Sequence, residues 1–157
     1  MKKRILGFVL ALAVTLCMLP VFAVGAAGIT PVTPKQGDGS AENPYRIGTA
    51  AELYGFAKIV NDGNNTASGV LTADITVNKN VLDANGRLNG SNFIPWTPIG
   101  YFKGNNDQVS FKGTFDGQGH TVSGLYFYDK STSYVGLFGM ASVNTVIKNV
   151  KLADSYI

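Results

Sequence analysis

Toward the end of the chain, apolar residues alternate with polar ones and then slip by one position, twice. In Thr121-Val122-Ser123-Gly124-Leu125-Tyr126-Phe127 they stand at 122, 125 and 127; in Val146-Ile147-Lys148-Asn149-Val150-Lys151-Leu152 they stand at 147, 150 and 152. Strand side chains alternate faces with a period of two, so a straight strand would turn Leu125 and Phe127 outward. The chain must bend at the slip. Gly124 and Asn149 occupy it, and Gly and Asn enter the left-handed region at least cost. The pattern predicts sharp corners joining short strands, with these two corners equivalent in successive coils. Coils stacked about 4.8 Å apart and paired strand on strand make a parallel β-helix.

Upstream, Tyr45-Arg46-Ile47 reads as a first short strand. Thr49-Ala50-Ala51-Glu52 then has the form of a capping box, and Leu53, Phe56, Ala57 and Val60 follow at helical spacing. This predicts a helix over about 50–61, ended by Asn61 to Gly63, that caps the lower end of the coils. In Leu71-Thr72-Ala73-Asp74-Ile75-Thr76-Val77 the alternation predicts one strand with Leu71, Ala73, Ile75 and Val77 on a common face. Residues 78–92, rich in Asn, Gly and Asp, read as a surface excursion. Pro95 and Pro98 make 94–100 a turn rather than a central strand.

Composition agrees with a turn-rich, one-domain all-β chain: 157 residues, 19 Gly and 15% charged residues. The net charge of +3 lies in the leader, because without Lys2, Lys3 and Arg4 the counts are 10 Lys+Arg and 10 Asp+Glu. A neutral mature chain argues against nucleic acid or an anionic membrane as partner. The three cations precede an apolar run from 5 to 21 and a small-residue stretch, the form of a signal peptide spanning 1–26 with cleavage after Ala26. A permanent membrane anchor is the alternative, disfavoured by Pro20. The chain is expected to be secreted, extracellular or at a bacterial cell surface, with no stable membrane anchor after cleavage. Cys17 lies inside the run behind Leu16, which argues against lipidation, so the mature chain has no cysteine and no disulfide. Residues 27–43 read as a linker and 44–157 as the folded domain.

Two further motifs carry a resemblance. Phe111-Lys112-Gly113-Thr114-Phe115-Asp116-Gly117-Gln118-Gly119-His120-Thr121, preceded by Trp96-Thr97-Pro98-Ile99-Gly100 and followed by Gly136-Leu137-Phe138-Gly139, resembles the GLUG-type repeats of large bacterial secreted and surface proteins. The resemblance covers about 38–157. It implies a right-handed parallel β-helix on an adhesin-like surface protein, and no reaction. Family members continue through many coils to an anchor, whereas this sequence stops at Ile157 in mid-repeat, which is expected of a truncated domain or a fragment of a larger surface protein.

Asp116, Gln118 and His120 stand at alternate positions and could mimic a metal or acid/base cluster. The favoured reading is turn chemistry, Asp116 accepting backbone amides while Gly117 and Gly119 supply positive φ. His120 is the single histidine, so a His pair is impossible and catalytic zinc is close to excluded. Asp74, Asp83, Asp107, Asp116 and Asp129 are carboxylates without the spacing of a catalytic pair. No catalytic residue, metal ligand or cofactor is expected. The candidate binding surface is aromatic: with Leu125 and Phe127 inward, Tyr126 and Tyr128 face outward, with Tyr134 and Tyr101 nearby. Such tyrosines stack on sugar rings or anchor a protein, or else pack against the next coil. The reading is an all-β chain, a right-handed parallel β-helix with a short N-terminal capping α-helix, acting as a non-catalytic binding or adhesion module for extracellular polysaccharide or a protein surface. The alternative is a polysaccharide-active β-helix enzyme of the pectin lyase or hydrolase type, which a cluster of Asp or of Arg and Lys on one outer sheet would favour. The uncapped upper edge also predicts edge-to-edge self-association.

Overall fold

A computed structural model describes residues 28–104, 106–128 and 134–157. The leader expected over 1–26, with Cys17, lies outside the described residues, as does Asp129. Within them the chain is mainly β, with one short helix.

Three-residue strands are too short to be stable as hairpins, and here they gain stability by pairing in parallel with strands far away in sequence. Strands β1 (Tyr45–Ile47), β2 (Gly69–Leu71), β6 (Thr114–Asp116) and β8 (Val146–Lys148) form one parallel sheet in chain order. A second parallel sheet holds β3 (Ile75–Thr76), β7 (Thr121–Ser123) and β9 (Lys151–Ala153), again in chain order. Between them, β4 (Tyr101–Gly104) and β5 (Asp107–Val109) make an antiparallel hairpin. Parallel bridges join Ile99 to Phe138, Phe111 to Ala141 and Tyr126 to Tyr156. Tyr45, Gly69, Phe115 and Ile147 lie in register on one column, and Arg46, Val70, Asp116 and Lys148 on the next. The first column faces inward. Phe115 is fully buried there, a burial that contributes roughly 1.5–3 kcal/mol.

Helix α1 (Ala50–Asn61) occupies the range its periodicity predicts. Thr49 Oγ1 accepts the Glu52 amide at 3.2 Å, and the Glu52 carboxylate accepts the Gly48 amide at 3.0 Å, one residue before the amide of the usual capping box. Leu53, Phe56, Ala57 and Val60 are all buried, joined by Tyr54. The Phe56 ring reaches the core from below, 6.1 Å from Phe111 and 5.8 Å from Phe115 between centroids. Tyr54 donates its hydroxyl to Pro95 O, and its burial pushes the phenol pKa up to about 12.

Three expectations are corrected. Leu71 to Val77 is not one strand: β2 and β3 belong to different sheets, and Leu71, Ile75 and Val77 are all buried because the corner between them keeps the inward parity. Gly124 and Asn149 are both left-handed, at φ +76 and +56. They are not equivalent, however. Ser123 pairs with Ala153, which places Gly124 beside Asp154, while Asp116 pairs with Lys148, which places Asn149 beside Gly117. The stack advances 30 residues from Thr121 to Lys151, and the apparent repeat compared the corner after one sheet with the corner after the other. Residues 28–43 lack strand and helix, yet they are not a free linker. Val32 N–H bonds Ala51 O, Arg46 N–H bonds Gln36 O, and a Cβ on Gly55 would stand 1.9 Å from Val32 O, so this segment lies flat against α1 and β1.

The excursion is closed by one side chain. Asn78 accepts the Ile94 amide through Oδ1 at 2.8 Å and donates Nδ2 to Ile94 O at 3.0 Å and Gly124 O at 2.8 Å. Further along, Val81 is fully buried, and the Asp154 carboxylate accepts the Val81 and Leu82 amides from the other end of the chain.

Candidate functional site

The Asp-Gly-Gln-Gly-His stretch follows β6 and turns the chain into β7. Asp116 Oδ1 accepts the Gln118 amide at 2.9 Å and the Asn149 side-chain amide at 3.1 Å, and Lys148 lies 3.3 Å from its other oxygen. These contacts, the Gln118 amide foremost, hold the Asp116 carboxyl below its usual range. Positive φ falls on Gln118 and Gly119 rather than on Gly117, whose missing Cβ instead avoids Asn149 O at 2.4 Å. His120 Nδ1 stands 3.2 Å from Asp74 Oδ1, which also accepts the Thr121 amide at 2.8 Å. That amide first, then His120, lowers the Asp74 pKa. Asp116 and His120 thus turn to different partners. Asp83 binds the Asn85 and Arg87 amides within its own loop, and Asp107 accepts the Tyr101 hydroxyl. The outer column of the first sheet carries one carboxylate, Asp116, between Val70 and Lys148, with Arg46 beyond. Among the described residues no three of His, Cys, Asp and Glu converge on one point.

In the second motif, Leu137 is buried, Phe138 packs 5.2 Å from both Phe111 and Phe115, and a Cβ on Gly139 would meet Gly100 O at 2.6 Å. Gly136 adopts φ +153, and its carbonyl accepts the indole N–H of Trp96 at 3.0 Å.

The four tyrosines do not form one surface. Tyr126 and Tyr128 stack at 6.4 Å with an interplanar angle of 5°, and Tyr126 also stacks on Tyr156, its partner in a parallel bridge, at 6.2 Å. Phe93 closes on Tyr126 from the excursion at 5.4 Å. The rings of this group pack largely on one another. Tyr101 and Tyr134 instead line a cleft of about 430 Å³ with Trp96, Phe102 and Phe127. Its walls come from the end of α1, the Trp96-Thr97-Pro98 turn, strand β4 and the chain after β7. The Tyr134 ring meets Phe102 at 5.1 Å and is 47% exposed, so one face is open to a ligand. Lys103 Nζ lies 5.2 Å above the Tyr101 ring, and the bond to Asp107 raises the Tyr101 pKa. Asn61 fixes the cleft floor by donating to Pro98 O and accepting the Gly100 amide. Thr97, Asp62 and Lys103 add polar groups at the rim.

Phe102 and Trp96 escaped the sequence reading of the site. Pairing of Tyr101 with Val109 in the hairpin brings Phe102 to Tyr134, and no local pattern announces that meeting.

No family model and no solved structure matches the chain. It is similar to a protein named Gly-rich membrane protein from Evansella cellulosilytica, 31% identical over 121 residues, covering 77% of this chain and 12% of that protein. It is also similar to Halomucin from Haloquadratum walsbyi, 32% identical over 119 residues, covering 76% of this chain and 1% of that protein. The chain therefore spans a small part of the length of either relative. Among the described residues no helix is long and apolar enough to cross a membrane.

Proposed function

We propose that the chain is a secreted or cell-surface binding module of the GLUG-type repeat family, built as a right-handed parallel β-helix, that holds carbohydrate in the aromatic cleft and performs no catalysis. The observation that carries this reading is the cleft itself, where Tyr101, Phe102 and Tyr134 converge over the buried Trp96, beside Thr97, Asp62 and Lys103. A sugar ring presents apolar C–H faces and an equator of hydroxyls. Aromatic walls take the faces, and the polar rim takes the hydroxyls. The in-register ladders of two parallel sheets and the left-handed corners support the coil architecture. The names of the two relatives, a membrane protein and a halomucin, agree with a place at the cell surface. The engagement of Asp74, Asp83, Asp107 and Asp116 with local donors supports a site that binds without reacting.

The test is titration with soluble neutral polysaccharides and their oligosaccharides, followed by the fluorescence of Trp96, the single tryptophan. At least one glycan should shift the emission, and Tyr134→Ala should weaken its binding about tenfold or more, a loss on the order of 1.4 kcal/mol. Tyr128→Ala, which alters the stacked group outside the cleft, should leave binding unchanged. Failure of every glycan to bind, indifference to Tyr134→Ala, or release of shortened products would each overturn the proposal.

A further inference from the structure

We propose that the groove on the outer face of the first sheet, centred on Arg46, is a second binding site, and that it takes uronate residues of an extracellular polysaccharide, with a sugar carboxylate on the Arg46 guanidinium. Arg46 is the middle residue of β1 and stands in the outward column with Val70 and Asp116. Val70 lies between the two charges, so their backbones are two strand spacings apart, about 10 Å. The Asp116 carboxylate is in any case held by Lys148 and the Gln118 amide. The other carboxylates around the groove are engaged as well. Glu52 accepts the Gly48 amide and the Thr49 hydroxyl, and Asp74 accepts the Thr121 amide and meets His120. Among the described residues Arg46 is left with no ion pair and no side-chain hydrogen bond, an exposed planar fork of donors without an acceptor.

Two hollows meet at this fork. One, of about 410 Å³, is bordered by Pro44, Val70, Gln118 and His120; the other, of about 450 Å³, by Lys35, Gln36 and Glu52; Arg46 and Thr72 line both. No carboxylate lines the first, and in the second Lys35 joins Arg46 against the single acid Glu52. The groove is therefore positive, and an Arg fork matches a carboxylate in bidentate geometry. Its surroundings select what bears that carboxylate. Pro44 and Val70 give a small apolar floor for the C–H face of a sugar ring, while the Thr72 hydroxyl and the Gln36 and Gln118 amides pair with ring hydroxyls. An acidic peptide would leave those polar groups to water. Two lobes joined at one cation suit consecutive sugars of a chain, with Lys35 taking a second carboxylate. The groove lies on the side-chain face of the sheet and not on its edge, so strands added beyond β8 would lengthen that face and leave Arg46 uncovered. It shares no residue with the aromatic cleft and does not depend on binding there.

Isothermal titration calorimetry of the purified protein with oligogalacturonate, oligomannuronate and hyaluronan fragments tests the proposal. At least one should bind saturably, and its methyl ester should bind about tenfold more weakly or worse. Arg46→Gln should bring the same loss, and Arg46→Lys should recover only part of the affinity, both with melting temperature unchanged because the side chain is exposed. Tyr134→Ala, which alters the aromatic cleft, should bind the uronate as the parent does. Polyglutamate of matched charge should bind more weakly than the uronate. Absence of binding by all three uronates, equal binding of acid and ester, or a folded Arg46→Gln variant of undiminished affinity would refute it. So would loss of uronate binding in Tyr134→Ala, or polyglutamate bound as tightly as the sugar.

Discussion

Gly119 and Gly124 both hold left-handed φ, at +84 and +76, yet their surroundings differ completely. A Cβ on Gly119 meets nothing within 4 Å, whereas a Cβ on Gly124 would stand 1.9 Å from Asn78 O and 2.5 Å from Asn78 N. Alanine at either position carries the left-handed penalty of about 1–2 kcal/mol. At Gly124 it must also displace Asn78, whose side chain holds three hydrogen bonds to Ile94 and Gly124. Each such bond is worth about 1 kcal/mol net, and more where a buried partner is left unsatisfied. Gly119→Ala should therefore cost about 1–2 kcal/mol, and Gly124→Ala about 3–5 kcal/mol in total. The second value approaches the whole stability of a marginal domain, roughly 5–15 kcal/mol. Urea unfolding followed by Trp96 fluorescence measures both. Equal losses for the two variants would mean that backbone strain alone matters and that the contact with Asn78 does not.

Two further outcomes follow from the carboxylates. Asp74 and Asp116 have folded pKa values below those of the unfolded chain, so their contribution is complete above the ordinary carboxylate pKa near 3.9 and is lost as pH falls through the lowered values; melting temperature between pH 2 and 6 should show an acid limb that is shallower in Asp74→Asn and Asp116→Asn. Asp154→Ala should cost about 2–4 kcal/mol by stranding the Val81 and Leu82 amides, and hydrogen exchange should report loss of protection at those two amides before the core opens.

How much the sequence discloses depends on the range of the interaction. Helix α1 was legible to the residue because its periodicity and its Thr49–Glu52 cap are both local. The left-handed backbone at Gly124 and Asn149 was legible from residue type and broken parity. Their pairing was not. Strands of three residues carry too little alternation to fix a register, and corners after either sheet use the same Gly or Asn chemistry, so the 25-residue spacing imitated a repeat, whereas the last step of the two ladders is 32 and 30 residues. The alternation from Leu71 to Val77 misled in the same way, since inward parity survives a corner. In the candidate site, Tyr126 and Tyr128 stack together as parity expects, but Phe127, expected inward, lines the outer cleft, and parity could not separate the pair from Tyr101 and Tyr134. That division follows the β4–β5 hairpin, whose register brings Phe102 to Tyr134 across the intervening chain.

The Asn78 clamp has a consequence for how such a chain can vary. By bonding Ile94 through both its donor and its acceptor, Asn78 ties the two ends of the excursion together at the margin of the sheets. Val81 and Asp154 then anchor only the first stretch of the excursion, and Asp83 closes the turn at 84–86 on itself. Those three residues are exposed, and a Cβ at Gly86 meets nothing within 4 Å. The tip is an exchangeable cassette: a foreign sequence spliced there is presented to solvent from a fixed stem, while the register of every strand beneath it is left as it was.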